Sequence, residues 1–223
     1  MFTGIVQCVG EVVEARSRGA GMSLAIAARF PKGSLSLGDS VAVEGACLTV
    51  TSLREGVFTV DASAQTLAMT TVGSFTAGVK VNLEQALTLS TPLGGHLVSG
   101  HVDGRGRLEA VDREGDFLRW TVSAPPSLMP FVADKGSVAL NGVSLTVIGL
   151  NGDLAFDLML IPHTIAATSL VHRRVGDAVN LEADLLARYV ARLLQQGLAQ
   201  AGDASPDRVD WAGLLSSPLG SKG

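Results

Sequence analysis

Aromatic side chains make up only 4% of this 223-residue sequence, with a single tyrosine and two tryptophans. Any core must therefore be assembled from Val, Leu, Ala and Ile, which are plentiful within a hydrophobic fraction of 47%. Cysteine is almost missing. Cys8 and Cys47 are too few for a disulfide framework, and free thiols are expected. No charge run of either sign occurs, and 17 basic against 21 acidic residues leave a net charge of −4. That balance excludes a basic footprint, so neither a nucleic acid nor a membrane surface is an expected partner. No apolar run reaches roughly 18 residues, the length that spans a bilayer. The first residues enter a strand-like pattern, Phe2-Thr3-Gly4-Ile5-Val6, with no basic leader. A cytoplasmic location is the expectation.

What the sequence does have is an internal repeat. Ser40-Val41-Ala42-Val43-Glu44-Gly45-Ala46-Cys47-Leu48-Thr49-Val50 matches Ser137-Val138-Ala139-Leu140-Asn141-Gly142-Val143-Ser144-Leu145-Thr146-Val147. Gly78–Glu84 matches Gly176–Glu182, Thr3–Val6 matches Ser99–Val102, and Gln65-Thr66-Leu67 matches His163-Thr164-Ile165. A period this long means a duplicated domain. Within each copy the apolar residues alternate, as in Val41/Val43 and Val79/Val81/Leu83, and glycines, 26 in all, bound short segments. Antiparallel strands in a sandwich or small barrel are predicted. A brief helix is expected at Pro126–Asp134, with a counterpart at Pro31–Leu37. From Asp184 the pattern changes. Leu185, Leu186, Tyr189, Val190, Leu193, Leu194 and Leu198 form one stripe of an amphipathic helix of roughly four turns, capped by Asp184. Ser205-Pro206-Asp207 predicts a further short helix reaching Leu215. The expected divisions are 1–96, 97–183, a helix over 184–201 and a tail over 202–223.

Differences between matched positions point to chemistry, because a fold needs the same residues in both copies and a site does not. The contrasts are Ile5 against His101, Gly38 against Lys135, Glu44 against Asn141, Cys47 against Ser144, Gln65 against His163, and Ala86 against Asp184. Polar groups gather in the second copy, which predicts that one half is equipped for proton transfer while the other binds. His96 and His101 are set in the glycine-rich junction Gly94–Val102. No further ligands stand at zinc-like spacing, so no metal is expected. Cys47 reads first as an apolar filler, the usual fate of a free cysteine, with a reactive thiol as the alternative. No phosphate-cradling loop and no Gly-x-Ser-x-Gly elbow occurs.

Met1–Val6, Gly45–Val50, Gly94–His101 and Asn141–Val147 together resemble the alpha-chain type of riboflavin synthase, in register from Met1 to about Gln200. The resemblance implies an all-β fold of two similar six-stranded antiparallel Greek-key barrels plus a C-terminal amphipathic α-helix that forms a homotrimer. It implies the conversion of two 6,7-dimethyl-8-ribityllumazine molecules into riboflavin and 5-amino-6-ribitylaminouracil, without metal or redox cofactor. The productive site in that family lies between the first barrel of one subunit and the second of its neighbour.

By position, the resemblance carries functional roles onto Cys47, His96, His101, Lys135, Ser144 and Asp184, with Phe2, Thr3 and Ser40 near the site. His101 is the expected proton-transfer group, and Ser144 or a water the transient nucleophile. Several relatives carry Asp at the position of Asn141, and an amide cannot be a base, so any such role is either absent here or passes to Asp184, while a hydrogen-bonding role for Asn141 survives the change. Substrate contacts are implied for Gly4, Ile5 and Val6, for Cys47, Leu48 and Thr49, and for Asp61, Ala62, Ser63, Ala64, Gln65 and Thr66. In the second copy they fall on Gly100, His101, Val102 and Lys135, and on Ser144, Leu145 and Thr146. They continue over Met159, Leu160, Ile161, Pro162, His163 and Thr164. A non-catalytic lumazine- or flavin-binding antenna protein on the same barrels is the alternative.

Overall fold

A computed structural model describes residues 1–31 and 34–200, with side chains through 196. Each half closes into its own antiparallel barrel. The first contains β1 (Cys8–Arg18), β2 (Gly21–Ala27), β3 (Ser40–Val43), β4 (Ala46–Arg54), β5 (Val57–Ala62) and β6 (Lys80–Gln85). Around the barrel they run β1-β2-β5-β4-β3-β6 and return to β1. The second contains β7 (Gly104–Glu114), β8 (Phe117–Ser123), β9 (Ser137–Leu140), β10 (Val143–Asn151), β11 (Ala155–Leu160) and β12 (Ala178–Ala183), in the same cyclic order. The non-sequential steps make both Greek keys. Bulges recur at matched places, after Val12 and Val50 in one barrel and after Leu108 and Val147 in the other. Each bends its strand enough to let a narrow barrel close.

Alternation sets the two faces of every strand. In β4, Ala46, Leu48 and Val50 point inward, while Cys47 and Thr49 face out. In β10, Val143, Leu145 and Val147 point inward, while Ser144 and Thr146 face out. Aliphatic side chains fill both interiors, joined by Phe58 in the first and Trp120 and Phe156 in the second. Six narrow strands leave room for side chains and no internal ligand cavity. A ligand site on this fold therefore belongs to the outer faces.

The helix expected at Pro126–Asp134 is only a 3₁₀ turn over Met129–Phe131. Pro130 contributes no N–H to a helix. The helix-like spacing arises because Leu128 and Val132 drop into the second core from either side of that turn. Of the Pro31–Leu37 counterpart, residues 32–33 lie outside the described residues, and among the rest the Pro31 carbonyl accepts the Ser34 N–H. Two helices were not anticipated, α1 (Ala64–Met69) and α2 (Pro162–Ala167). Each has 6 residues, too short for a periodic signal. The Ser63 hydroxyl caps the first, and Pro162 opens the second. A third helix, α3, spans Leu185–Gln200. The helix expected over Ser205–Leu215 lies outside the described residues.

The barrels meet through their β3–β4 and β9–β10 hairpins. Glu44-Gly45 and Asn141-Gly142 all have positive φ, between 48° and 82°, which is the two-residue turn matched to strand twist. Asparagine accepts that backbone readily, whereas glutamate does so rarely. Glu44 is held there by its partners. Its Oε1 accepts from the Asn82 N–H and the Ser169 hydroxyl, and its Oε2 from Arg173 at 2.7 Å. Asn141 accepts from the Asn180 N–H in the matching way. Asn82 donates to the Asn141 carbonyl and Asn180 to the Glu44 carbonyl. At the place matching Arg173 stands Phe75. Glu44 thus has a charged partner, whereas the residue matching Arg173 is packed in the first core. The Glu44/Asn141 contrast, expected to reflect proton transfer, belongs to this interface.

Burial pushes the Glu44 carboxyl above the ordinary carboxylate value, and Arg173, Ser169 and Asn82 pull it back. With the native value raised, the folded chain holds that proton longer than the unfolded chain, so stability falls as pH rises through the native value. Arg173→Ala removes the main opposing charge and enlarges this effect. Urea unfolding should show a loss of about 3–5 kcal/mol near neutral and alkaline pH. The loss should shrink under acidic conditions that protonate Glu44. A deficit independent of pH would contradict the assignment.

Candidate functional site

Two segments cross between the barrels. Phe2 and Val98 form an isolated antiparallel bridge, both buried, with mutual N–H to carbonyl bonds of 2.7 and 3.1 Å. Beyond the bridge, Val6 from the first half packs on the second core, and Val102 from the second half packs on the first. The Gly4 carbonyl accepts the Ser144 N–H at 2.8 Å, and the Gly100 carbonyl accepts the Cys47 N–H at 2.8 Å. Only glycine fits at either place. Both have positive φ, and a Cβ would come within 2.6 Å of Ser144 Cβ or 2.5 Å of Cys47 Cβ.

The first cluster opens as a cleft of about 250 Å³ on the outer face of β4. It is lined by Ala46, Cys47, Ser63, Gln65, Thr66, Met69 and Thr70 of the first half together with Gly100, His101 and Val102. The second cluster surrounds Ser144. Its Oγ lies 2.7 Å from His96 Nδ1, and the His96 N–H donates to the Thr3 carbonyl. Gly95 permits this approach, since a Cβ there would sit 2.9 Å from Ser144 Oγ. His96 is buried, and its Nε2 has no partner among the described residues. Burial lowers its pKa below the ordinary histidine value of 6.5, while the charge of Asp184 raises it. The ring is therefore neutral at neutral pH. With its proton on Nε2, Nδ1 can accept the proton of the Ser144 hydroxyl, the arrangement of a general base beside a nucleophile.

The crossing corrects one expectation. Polar groups do not gather in one half, because His101 is handed to the barrel of the first copy and stands with Cys47. Each cluster thereby holds one histidine of the junction. Ile5 occupies the matching place beside Gly4, as a member of the other cluster. Asp184 sits between β12 and α3, with Oδ1 accepting the Leu186 N–H.

Other expected contacts are distributed more widely. Leu48, Ala62, Leu145 and Leu160 turn their side chains into the cores, leaving only backbone to a ligand. Asp61 pairs with Arg18. Ser40 stands opposite Thr49, and its carbonyl accepts the Ala86 N–H. Lys135 is an exposed turn residue at φ 61°, matching Gly38. Met159, Ile161, Pro162, His163 and Thr164 run from β11 into α2, as Asp61–Thr66 run from β5 into α1. Met69 and Thr70 were not anticipated. They lie four residues beyond Gln65 and Thr66, a spacing that counts only once α1 is known. A second hollow of about 260 Å³, lined by Ala28, Phe30, Leu35, Leu53 and Phe58 with Arg54 and Glu55, has no Ser, Cys or His.

Comparison with known proteins fits this duplicated geometry. The lumazine binding domain family matches twice, over residues 3–86 and 99–184. Riboflavin synthase of Brucella abortus (strain 2308) is 45% identical over 200 residues, covering 87% of this chain and 98% of that protein. The chain belongs to the riboflavin synthase family. Riboflavin synthase of Bacillus subtilis (strain 168) is 38% identical, covering 88% of this chain and 91% of its own. Among solved structures, LumP complexed with riboflavin superposes with a TM-score of 0.75 at 26% identity, covering 82% of this chain and 99% of that one. LumP complexed with 6,7-dimethyl-8-(1'-D-ribityl)lumazine gives 0.73. These riboflavin synthase relatives are matched along nearly their whole length, so both crossings and both clusters fall inside the family's span.

Proposed function

We propose that this chain forms riboflavin and 5-amino-6-ribitylaminouracil from two molecules of 6,7-dimethyl-8-ribityllumazine. The observation that carries the reading is the Ser144–His96 pair, set into one of two related outer-face clusters of a chain in the riboflavin synthase family. The two products contain every atom of two substrate molecules, so transfer of the four-carbon unit needs no external oxidant or reductant. It needs two identical reactants held in register and treated differently. Related clusters supply the matching surfaces, and their unlike side chains supply the difference. Orientation of this kind is worth on the order of 7–11 kcal/mol when geometry is good.

In the proposed chemistry, His96 takes the Ser144 proton as Ser144 adds to carbon 7 of one lumazine. His101, at the mouth of the Cys47 cleft, moves protons on the 7-methyl group of the other. The clusters of one chain share no residue, which supports pairing of the first-barrel cluster of one subunit with the second-barrel cluster of its neighbour. Helix α3 supports a homotrimer for that purpose, because Leu186, Tyr189, Val190, Leu193 and Leu194 are all exposed. Sedimentation at micromolar concentration should show a trimer, and a stable monomer would contradict it. A cytoplasmic location is part of the same proposal. It accords with free Cys8 and Cys47 and with the lack, among the described residues, of a helix able to cross a membrane.

The decisive experiment adds 6,7-dimethyl-8-ribityllumazine to the purified protein and follows flavin absorbance. Flavin should accumulate at one equivalent per two lumazines consumed. The LumP complexes favour a second reading, an antenna that only binds. Tight binding with unchanged absorbance would select it.

A further inference from the structure

We infer that Glu84 and Glu182, a matched pair of buried carboxylates, are positioning residues that set the two clusters by clamping the crossing segments. The inference rests on the site roles proposed above. Each carboxylate receives the same three bonds. Glu84 Oε1 accepts from the Thr3 N–H at 2.6 Å and the Thr3 hydroxyl at 2.7 Å, and Oε2 from the Gly4 N–H at 3.0 Å. Glu182 repeats this with Ser99 at 2.6 and 2.7 Å and Gly100 at 3.0 Å. The clamped hydroxyls pass the constraint on, since Thr3 Oγ1 accepts the Ile5 N–H and Ser99 Oγ accepts the His101 N–H, both at 3.1 Å.

Two short paths follow from these bonds. Glu182 holds Ser99 and Gly100, whose neighbours in the network are His101 and the Cys47 backbone. Glu84 holds Thr3 and Gly4, whose neighbours are Ile5 and the Ser144 backbone. Both glutamates are 4% exposed, and burying a carboxylate is costly unless it is hydrogen-bonded. A clamp made of charge-assisted bonds is short and directional. Three bonds from one carboxylate fix two successive peptide units, more than docking a chain end requires. Glutamine in the same place would turn an NH₂ donor toward an N–H donor and open the clamp. His101 and Ser144 would then shift, and displacement of about 1 Å can cost roughly 10²-fold in rate.

The test is a pair of double-mutant cycles in the full-length protein, read by steady-state flavin formation. Glu182→Gln should lower kcat about 10–100-fold with little change in KM. The double variant with His101→Gln should be no slower than the slower single, because both act through one group. Glu84→Gln should behave likewise with Ser144→Ala. If either carboxylate variant does not fold, Ser99→Ala and Thr3→Ala take its place, since they delete only the hydroxyl bridge. Effects that multiply independently would mean the carboxylates merely support the fold, and the inference would be overturned. Should His101→Gln and Ser144→Ala both turn over at the unaltered rate, the proposed site roles fail instead, and the clamp with them.

Discussion

Ser144→Ala is expected to lower kcat for flavin formation roughly 10²–10⁴-fold, the range lost when a positioned proton acceptor and its partner stop working together. Lumazine binding should change far less, because the substitution removes one hydroxyl from an outer face and leaves the Ser144 N–H on the Gly4 carbonyl. His96→Gln should fall by a similar factor, and the double variant should be no worse than either single, as expected for groups that act as a unit. The pH dependence carries a further sign. Protonated His96 cannot accept the Ser144 proton, so activity should be lost as pH falls through its native pKa. Burial lowers that value, so the acid limb should lie below the ordinary histidine value of about 6.5. His96→Gln should abolish that limb. Additive losses in the two variants, or a limb unchanged by His96→Gln, would show that the 2.7 Å contact is structural only.

Gly45→Ala should match Arg173→Ala in its effect on stability. Gly45 and Gly142 meet backbone to backbone where the hairpins touch, and a Cβ on Gly45 would lie 2.7 Å from the Gly142 nitrogen. No flexible side chain is there to give way. At φ +82° alanine also takes on left-handed strain of about 1–3 kcal/mol, and overpacking adds typically 1–3 kcal/mol. The sum is a large share of a usual stability of about 5–15 kcal/mol. At about 2–4 °C per kcal/mol, the melting temperature should drop by roughly 4–24 °C. Gly142→Ala meets the Gly45 nitrogen at 2.8 Å and should cost a similar amount. Gly19→Ala, at φ +59° with open space around it, is the control that carries backbone strain without the clash. Equal melting temperatures for the Gly45 and Gly19 variants would refute the contact.

Much of the site was legible because the duplication provides an internal comparison. Cys47 and Ser144 stood out as unlike residues in like strands, and alternation alone places them opposite Leu48 and Leu145. Glu44 against Asn141 misled for the same reason. It is a difference between copies, but its cause lies at Arg173 and Phe75, far along the chain, and charge matching across an interface leaves no local pattern. The helix expected at Pro126–Asp134 failed because Leu128 and Val132 answer to a barrel end and not to a helical face. Helices α1 and α2 went unseen because one and a half turns carry no period. Glu84 and Glu182 were visible only as repeat markers. Nothing in their neighbourhood says that each reaches about 80 residues back along the chain.

The sequence by itself determined that there are two like domains of antiparallel strands, where those strands alternate and which positions differ between them. Those are properties of neighbours along the chain, written in period-two hydrophobicity and in repetition. Only the tertiary structure decided which residues share a cluster. His101 joins Cys47, and His96 joins Ser144, because the segments leading into the two barrels exchange sides at the Phe2–Val98 bridge. An exchange of that kind pairs residues through space while leaving the local pattern of both segments unchanged, so no periodicity can report it.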